Sequence, residues 1–295
     1  MDPRDRIDYS AIVDRSPLVL PDETRMVVWP VFNIENWDTS KAMPRAVLTP
    51  PGETLFVPDI PNWSWQEYGM RVGFWRIKAA FDELGIKPTM SVNATVCETY
   101  PRIAQAALEA GWEFMPHTYY QIPMHLVDDE RATIRKTLDT IAAFTGSKPR
   151  GWLGPGLSQT YETSDILAEE GVEYIADFLW DDEPTILRTR VGPLVNIPYS
   201  VELNDIPIML SQHHRAAELY DRTLDQFERL YEESADRAKI MGFGVHPYIS
   251  GVPHRIKYLE RMLEEIASKP GVVFWSGSEI LDWYLSAAPK EAPST

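Results

Sequence analysis

Short apolar runs alternate with amphipathic helices along almost the whole chain, most of them punctuated by glycine or proline. Segments 26–33, 89–93, 112–115, 151–153, 174–177, 195–199, 240–245 and 272–275 read as strands. Segments 67–84, 101–110, 129–145, 165–170, 216–237, 252–269 and 278–285 read as helices. Strict alternation of this kind implies a parallel sheet with helices outside. At 295 residues it implies a single α/β domain that closes into a distorted barrel. The expected organisation is an N-terminal arm over 1–25, the barrel over 26–286 and a C-terminal tail over 287–295. The arm is expected to pack on the barrel surface or on a neighbouring subunit.

In a parallel α/β fold, chemistry sits at the C-terminal strand ends. The polar residues found there are Asn33 and Glu35, His117, Asp177 with Asp181 and Asp182, Asn204 and Asp205, and His246. Converging buried polar groups must be paired, hydrogen-bonded or metal-bound. A carboxylate and two histidines suffice for acid–base hydrolysis near neutral pH. His246 stands out because the run Gly242-Phe-Gly-Val ends in it and Pro247, Gly251 and Pro253 then break the chain. A strand-end histidine can also be purely structural.

Composition narrows the partners. A formal net charge of -16 argues against nucleic acid and anionic membranes, which need Lys and Arg to neutralise phosphate. The single cysteine, Cys97, allows no intrachain disulfide and suits a reducing compartment. With no apolar stretch after the charged first residues and none near the ~20 residues that span a bilayer, the expected location is the cytoplasm. Residues 39–66 hold five of the chain's 24 prolines without periodicity, as a lid or interface loop would.

Six segments, in order, carry a resemblance to a known family: Asn33-Ile-Glu-Asn36, Glu67-Tyr-Gly-Met-Arg-Val-Gly-Phe-Trp-Arg76, His117-Thr-Tyr-Tyr-Gln121, Gly151-Trp-Leu-Gly-Pro155, Trp180-Asp-Asp-Glu-Pro184 and Gly244-Val-His246 through Arg255. Ile197-Pro-Tyr199 with Asn204-Asp205 adds to them. From about residue 26 to 285 the chain resembles the polysaccharide deacetylase superfamily (NodB-type, carbohydrate esterase family 4). Within it, the chain is most similar to the branch of metal-independent allantoinases and cyclic-amide hydrolases. The resemblance implies a distorted, seven-stranded (β/α) barrel.

Metal-dependent members hold an ion with one carboxylate and two histidines and use a second carboxylate as base. Here Gln121 stands in place of the second histidine, and only Glu35 remains of the acidic pair. A set of Glu35, His117 and Gln121 is a poor zinc site, since an amide oxygen is a weaker ligand than imidazole. The expectation is therefore no cofactor, or at most a weakly bound divalent metal such as zinc on those three residues. Glu35, His117 and His246 are the candidate catalytic groups: Glu35 or His117 activates water, and His246 protonates the leaving nitrogen or stabilises the oxyanion. Trp152, Asp181, Asp182, Asn204, Asp205 and Arg255 are the candidate substrate contacts. His125, His213 and His214 receive no role.

The expected activity is hydrolysis of a non-peptide C–N bond in a small cyclic amide, imide or ureide, in a homo-oligomer, a tetramer by analogy with relatives. Two rivals stand beside it: a metal-dependent N-deacetylase of an acetylated amino sugar or polysaccharide, and a non-catalytic small-molecule binding protein on the same fold.

Overall fold

The computed structural model describes residues 1–53 and 56–287. Its centre is β1 (Met26–Ile34), a nine-residue strand buried throughout. On one edge it pairs in parallel with β8 (Lys239–Val245), from Met26 to Phe32. On the other edge it pairs with β9 (Val272–Phe274) near its start and with β2 (Thr89–Val92) near its end. β2 then pairs with β3 (Glu113–Pro116). A second sheet runs in the order β4 (Gly151–Trp152), β5 (Tyr174–Ile175), β7 (Gly192–Asn196), β6 (Thr185–Thr189), with β6 antiparallel to β7.

Beside the end of β4 the Leu153 N–H donates to the Pro116 carbonyl of β3 at 3.0 Å, and on β8 the Gly244 N–H donates to the Leu203 carbonyl in the loop after β7 at 2.9 Å. Side chains from both sheets, including Val27, Trp29, Val31, Met115, Tyr174, Ile197 and Ile240, meet in one apolar cluster. Seven parallel strands (β8-β1-β2-β3 and β4-β5-β7) thus surround a common interior, an α/β fold of the NodB-like barrel type.

The twofold alternation of a strand sorts its side chains. On β1, Val27, Trp29 and Val31 enter the interior cluster, whereas Met26, Val28, Phe32 and Ile34 join the outer one under the helices. The same parity carries Asn33 and Glu35 inward. On β3 it places Met115 and His117 inward and Phe114 outward; on β8 it places Gly242, Gly244 and His246 inward and Phe243 outward. Glycine at 244 is required because a Cβ there would overlap the Tyr199 hydroxyl and the Asn204 amide.

Eight helices of seven residues or more surround the sheets: α1 (Ile60–Tyr68), α2 (Phe74–Glu83), α3 (Pro101–Glu109), α4 (Glu130–Thr145), α5 (Thr163–Glu169), α6 (Ala216–Glu233), α7 (Ile256–Ala267) and α8 (Gly277–Ala287). Most match the periodicity to within a few residues. The helix expected from 67 instead begins at Ile60, where the Asp59 carboxylate accepts the Asn62 N–H at 3.2 Å. It passes through a π-helical turn, Gly69–Gly73, before continuing as α2. That wide turn lies against the backbone of 247–248: a Cβ on Gly69 or Gly73 would strike Tyr248 or Pro247. β6 was not expected; its tight antiparallel return to β7 through Arg190 and Val191 departs from the β-then-α rhythm.

The arm packs on its own barrel. Arg6, only 2% exposed, donates to both oxygens of Asp165 at 3.2 and 2.8 Å and to the Tyr161 and Arg188 carbonyls. Leu18 and Leu20 join the interior cluster. The expected tail lies almost wholly outside the described residues. Cys97 is buried, as a small core residue would be. No helix among the described residues is long and apolar enough to cross a membrane. Removing one partner of a buried ion pair strands the other charge, so Arg6→Ala is expected to cost about 3–5 kcal/mol of unfolding free energy by urea denaturation. A loss under ~1 kcal/mol, the range of an exposed pair, would mean that the arm merely rests on the surface.

Candidate active site

Glu35, His117, Gln121, Asn204 and His246 line one cavity of about 220 Å³, with Asn33, Arg45, Leu153, Tyr199 and the loop around Gly154 completing its wall. That volume lies below the ~300–1,000 Å³ of pockets for drug-sized ligands. A larger concavity of about 520 Å³ lies on the helical outside, between α2 and α3. There Lys78 is already paired with Asp82, and no histidine is present. The chemistry belongs to the smaller cavity.

Glu35 is the anchor. It is 1% exposed, and four groups converge on its carboxylate. The Trp37 indole N–H (2.8 Å) and the Tyr248 hydroxyl (2.7 Å) donate to Oε2; the Gln121 amide (2.8 Å) donates to Oε1, which also lies 3.5 Å from His246 Nε2. Its backbone carbonyl accepts from Gln66 on α1 at 2.6 Å. Burial by itself would raise the Glu35 pKa, but His246 first, then Arg45 and His117, hold it down to about 2. Glu35 is therefore a permanent anion.

Behind His246 stands Asp205, fully buried. Its Oδ1 lies 2.6 Å from His246 Nδ1, and its Oδ2 accepts the His246 backbone N–H at 2.8 Å and the Ser250 hydroxyl at 2.7 Å. Burial disfavours an imidazolium, yet Asp205 and then Glu35 outweigh it and lift the His246 pKa to about 9. With Nδ1 committed to Asp205, Nε2 is the atom that faces the cavity.

His117 has the opposite character. Its Nδ1 lies 2.5 Å from the Leu153 carbonyl, which can only accept, so Nδ1 carries the proton and Nε2 is left as a lone pair. Burial drives its pKa to about 4, against the pull of Glu35. Two histidines on one cavity thus differ in protonation near neutral pH, one cationic and one neutral.

The orientation of Gln121 follows from its neighbours. Asn93 Oδ1 accepts the Asn36 N–H at 2.8 Å, so Asn93 Nδ2 must face the other way, toward the His117 carbonyl and toward Gln121 Oε1 at 3.2 Å. The Gln121 oxygen is thereby occupied and its NH₂ points at Glu35. This donor set does not fit a divalent cation: one position offers N–H rather than oxygen, and the carboxylate is already saturated. Among the described residues, no cluster of three His, Cys, Asp or Glu side chains suits a metal ion.

Some expected contacts lie elsewhere. Trp152 is fully buried in an outer cluster with Ile166, Leu167 and Leu194, because strand parity turns it away from the interior that Gly151 and Leu153 face. Asp181 pairs with Arg15 at 2.9 Å and Asp182 with Lys239 at 3.4 Å, bracing the arm and β8 rather than bordering the cavity. Arg255 points its guanidinium at the Ile249 carbonyl, 3.4 Å away, behind the histidine loop. Asp205 is reached by a ligand only through His246. Asn204 lines the cavity, held by the Tyr199 hydroxyl at 2.8 Å. Tyr248, two residues beyond His246, could have been found from its motif; Arg45, in the aperiodic loop, carried no signal. Asp177 sits outside the cavity wall but holds it in place: its carboxylate accepts the Gly154 N–H at 2.7 Å and the Gln159 amide at 2.8 Å, and burial raises its pKa to about 7.

The raised His246 pKa has a stability consequence with a definite sign. The ion pair contributes fully below the unfolded value of ~6.5 and is lost as pH rises through about 9. Asp205→Ala is expected to cost about 3–5 kcal/mol at pH 6, and the deficit relative to wild type should shrink above pH 9 in guanidinium denaturation. A pH-independent deficit would deny the charged pair.

The polysaccharide deacetylase family model matches residues 67–175. A Schizosaccharomyces pombe protein described as a polysaccharide deacetylase is 29% identical over 247 residues, covering 77% of each chain. The peptidoglycan deacetylase of Helicobacter pylori is 23% identical over 258 residues, covering 75% of this chain and 86% of that one. In three dimensions the PuuE allantoinase superposes with a TM-score of 0.86 at 26% identity, over 97% of this chain and 98% of that one. Sequence motifs, family model and fold agree: residues 67–175 match the polysaccharide deacetylase model, and the chain as a whole has the NodB-type fold.

Proposed function

We propose that this domain hydrolyses the C–N bond of a small cyclic amide, imide or ureide without a catalytic metal. The observation that carries the reading is the saturation of Glu35 by Trp37, Tyr248, Gln121 and His246. It removes the carboxylate from both metal ligation and proton abstraction. A cavity of about 220 Å³, small beside pockets for drug-sized ligands, is in keeping with a small substrate. The likeness to an allantoinase structure is in keeping with it.

In this mechanism the neutral His117 Nε2 accepts a proton from water as the water oxygen attacks the ring carbonyl. The resulting imidazolium is stabilised by the nearby Glu35 anion, which offsets the low basicity of His117. The His246 imidazolium, oriented by Asp205, stabilises the tetrahedral oxyanion and then donates its Nε2 proton to the departing nitrogen. The C–N bond breaks, leaving a carboxyl group and an N–H. Glu35 acts as a fixed counter-ion to both histidines. The partner is a small molecule; nucleic acid and membrane have no part in the reading, and subunit contacts are assigned to the proline-rich segment 41–62 and the N-terminal arm.

The discriminating experiment is a turnover screen of allantoin, hydantoin, dihydrouracil, succinimide and an N-acetylglucosamine oligomer, with and without chelator. A cyclic amide should turn over, unaffected by chelation, and His246→Ala should lower kcat/KM by roughly 10²–10⁴-fold. Activity confined to the acetylated oligomer and abolished by chelator would favour the metal-dependent deacetylase instead. Because His117 must be neutral and His246 protonated, kcat/KM should fall below about pH 4 and above about pH 9. An acid limb near pH 2 would assign the base to Glu35.

A further inference from the structure

Arg45 is a cation on the cavity wall that the proposed chemistry does not use. It is half-buried, and its Nε is shielded from solvent with no hydrogen-bond partner. Its charge is felt by Glu35, His117 and Tyr248, yet among the described residues no carboxylate lies within ion-pair distance of it. Glu35, the carboxylate on which that charge acts, already accepts from other donors. A shielded donor left unmatched on the cavity wall is costly, and a ligand oxygen is the natural partner for it.

The loop that carries Arg45 is built to hold it. The Asn62 side chain, 1% exposed, accepts the N–H groups of Val47 (2.8 Å) and Leu48 (3.0 Å) and donates to the Leu48 carbonyl at 2.9 Å. Asp59 fixes that amide at 2.8 Å, and Met43 packs on the outer core on the other side of Arg45. The backbone that carries Arg45 is therefore held on both flanks by groups outside the cavity.

Resting on the cyclic-amide reading above, we infer that Arg45 selects rings bearing a carboxylate, which it binds at the cavity wall while His117 and His246 act on the ring amide. Charge bookkeeping agrees. Glu35, His246 and Asp205 together carry one net negative charge, so a ring carboxylate is repelled by the reaction centre and accommodated only beside Arg45. The planar fork of the guanidinium matches a carboxylate in two parallel hydrogen bonds. The contact thus sets the orientation of the ring as well as its affinity.

A matched pair of rings tests this: dihydroorotate, which carries a carboxylate, and dihydrouracil, which is the same ring without it. Binding of each to the full chain by calorimetry, and kcat/KM for each, are measured for wild type, Arg45→Gln and Arg45→Lys. Wild type should prefer dihydroorotate in both readouts. Arg45→Gln should reduce that preference by roughly 10- to 100-fold, and Arg45→Lys should keep part of it, since charge survives but the fork is lost. A preference unchanged by Arg45→Gln, or a wild-type preference for dihydrouracil, would overturn the inference even with both rings hydrolysed. Selective binding of dihydroorotate that depends on Arg45, with neither ring hydrolysed, would support the inference and overturn the cyclic-amide reading. Absence of binding by both rings would overturn the two together.

Discussion

The site depends on one buried anion. Removing a carboxylate from water costs several kcal/mol unless donors replace the solvent, and Glu35 draws those donors from three parts of the chain: its own strand end through Trp37, Gln121 after β3, and His246 and Tyr248 after β8, while the Gln66 amide holds its backbone carbonyl. Each of these elements is fixed in turn by the need to reach it. The π turn at Gly69–Gly73 lets α1 and α2 approach the 247–248 backbone, and glycine at 244 leaves space for Tyr199 and Asn204 beside the histidine. The fixed charge on Glu35 favours the protonated form of both histidines; they differ because Asp205 adds its pull at His246 whereas burial governs His117.

The same constraint underlies the proposed metal-free reading. An amide in place of a second imidazole need not by itself abolish ligation; what decides the matter is the direction in which that amide points. The chain from the Asn36 N–H through Asn93 to Gln121 leaves its NH₂ facing Glu35. In the proposed metal-free reading, glutamine at position 121 thus acts through hydrogen-bond polarity and leaves the carboxylate as a counter-ion.

The parts of this arrangement legible in the sequence are those governed by period. Strand-end positions and the β-then-α rhythm pointed to the barrel and to Glu35, His117 and His246 on one cavity. Parity carries more than was taken from it: Gly151 and Leu153 face inward, so Trp152 between them faces out, and its aromatic ring belongs to the outer core. Asp181 and Asp182 resembled a motif but satisfy Arg15 and Lys239, and an acidic turn looks the same in sequence whether it meets a ligand or a neighbouring cation. Asp205 and Asn204 are adjacent yet do different work, one behind the histidine and one on the wall. Arg45 was illegible because its loop has no period; its position is set by the distant Asn62 amide.

The central claim is that the two histidines hold different protonation states around a fixed Glu35 anion. Nitrogen-15 spectra of the imidazole rings at pH 7, assigned with His117→Gln and His246→Gln, test it directly. The account predicts a doubly protonated His246 and a neutral His117 carrying its proton on Nδ1. Two neutral rings, or a His117 protonated on Nε2, would contradict it.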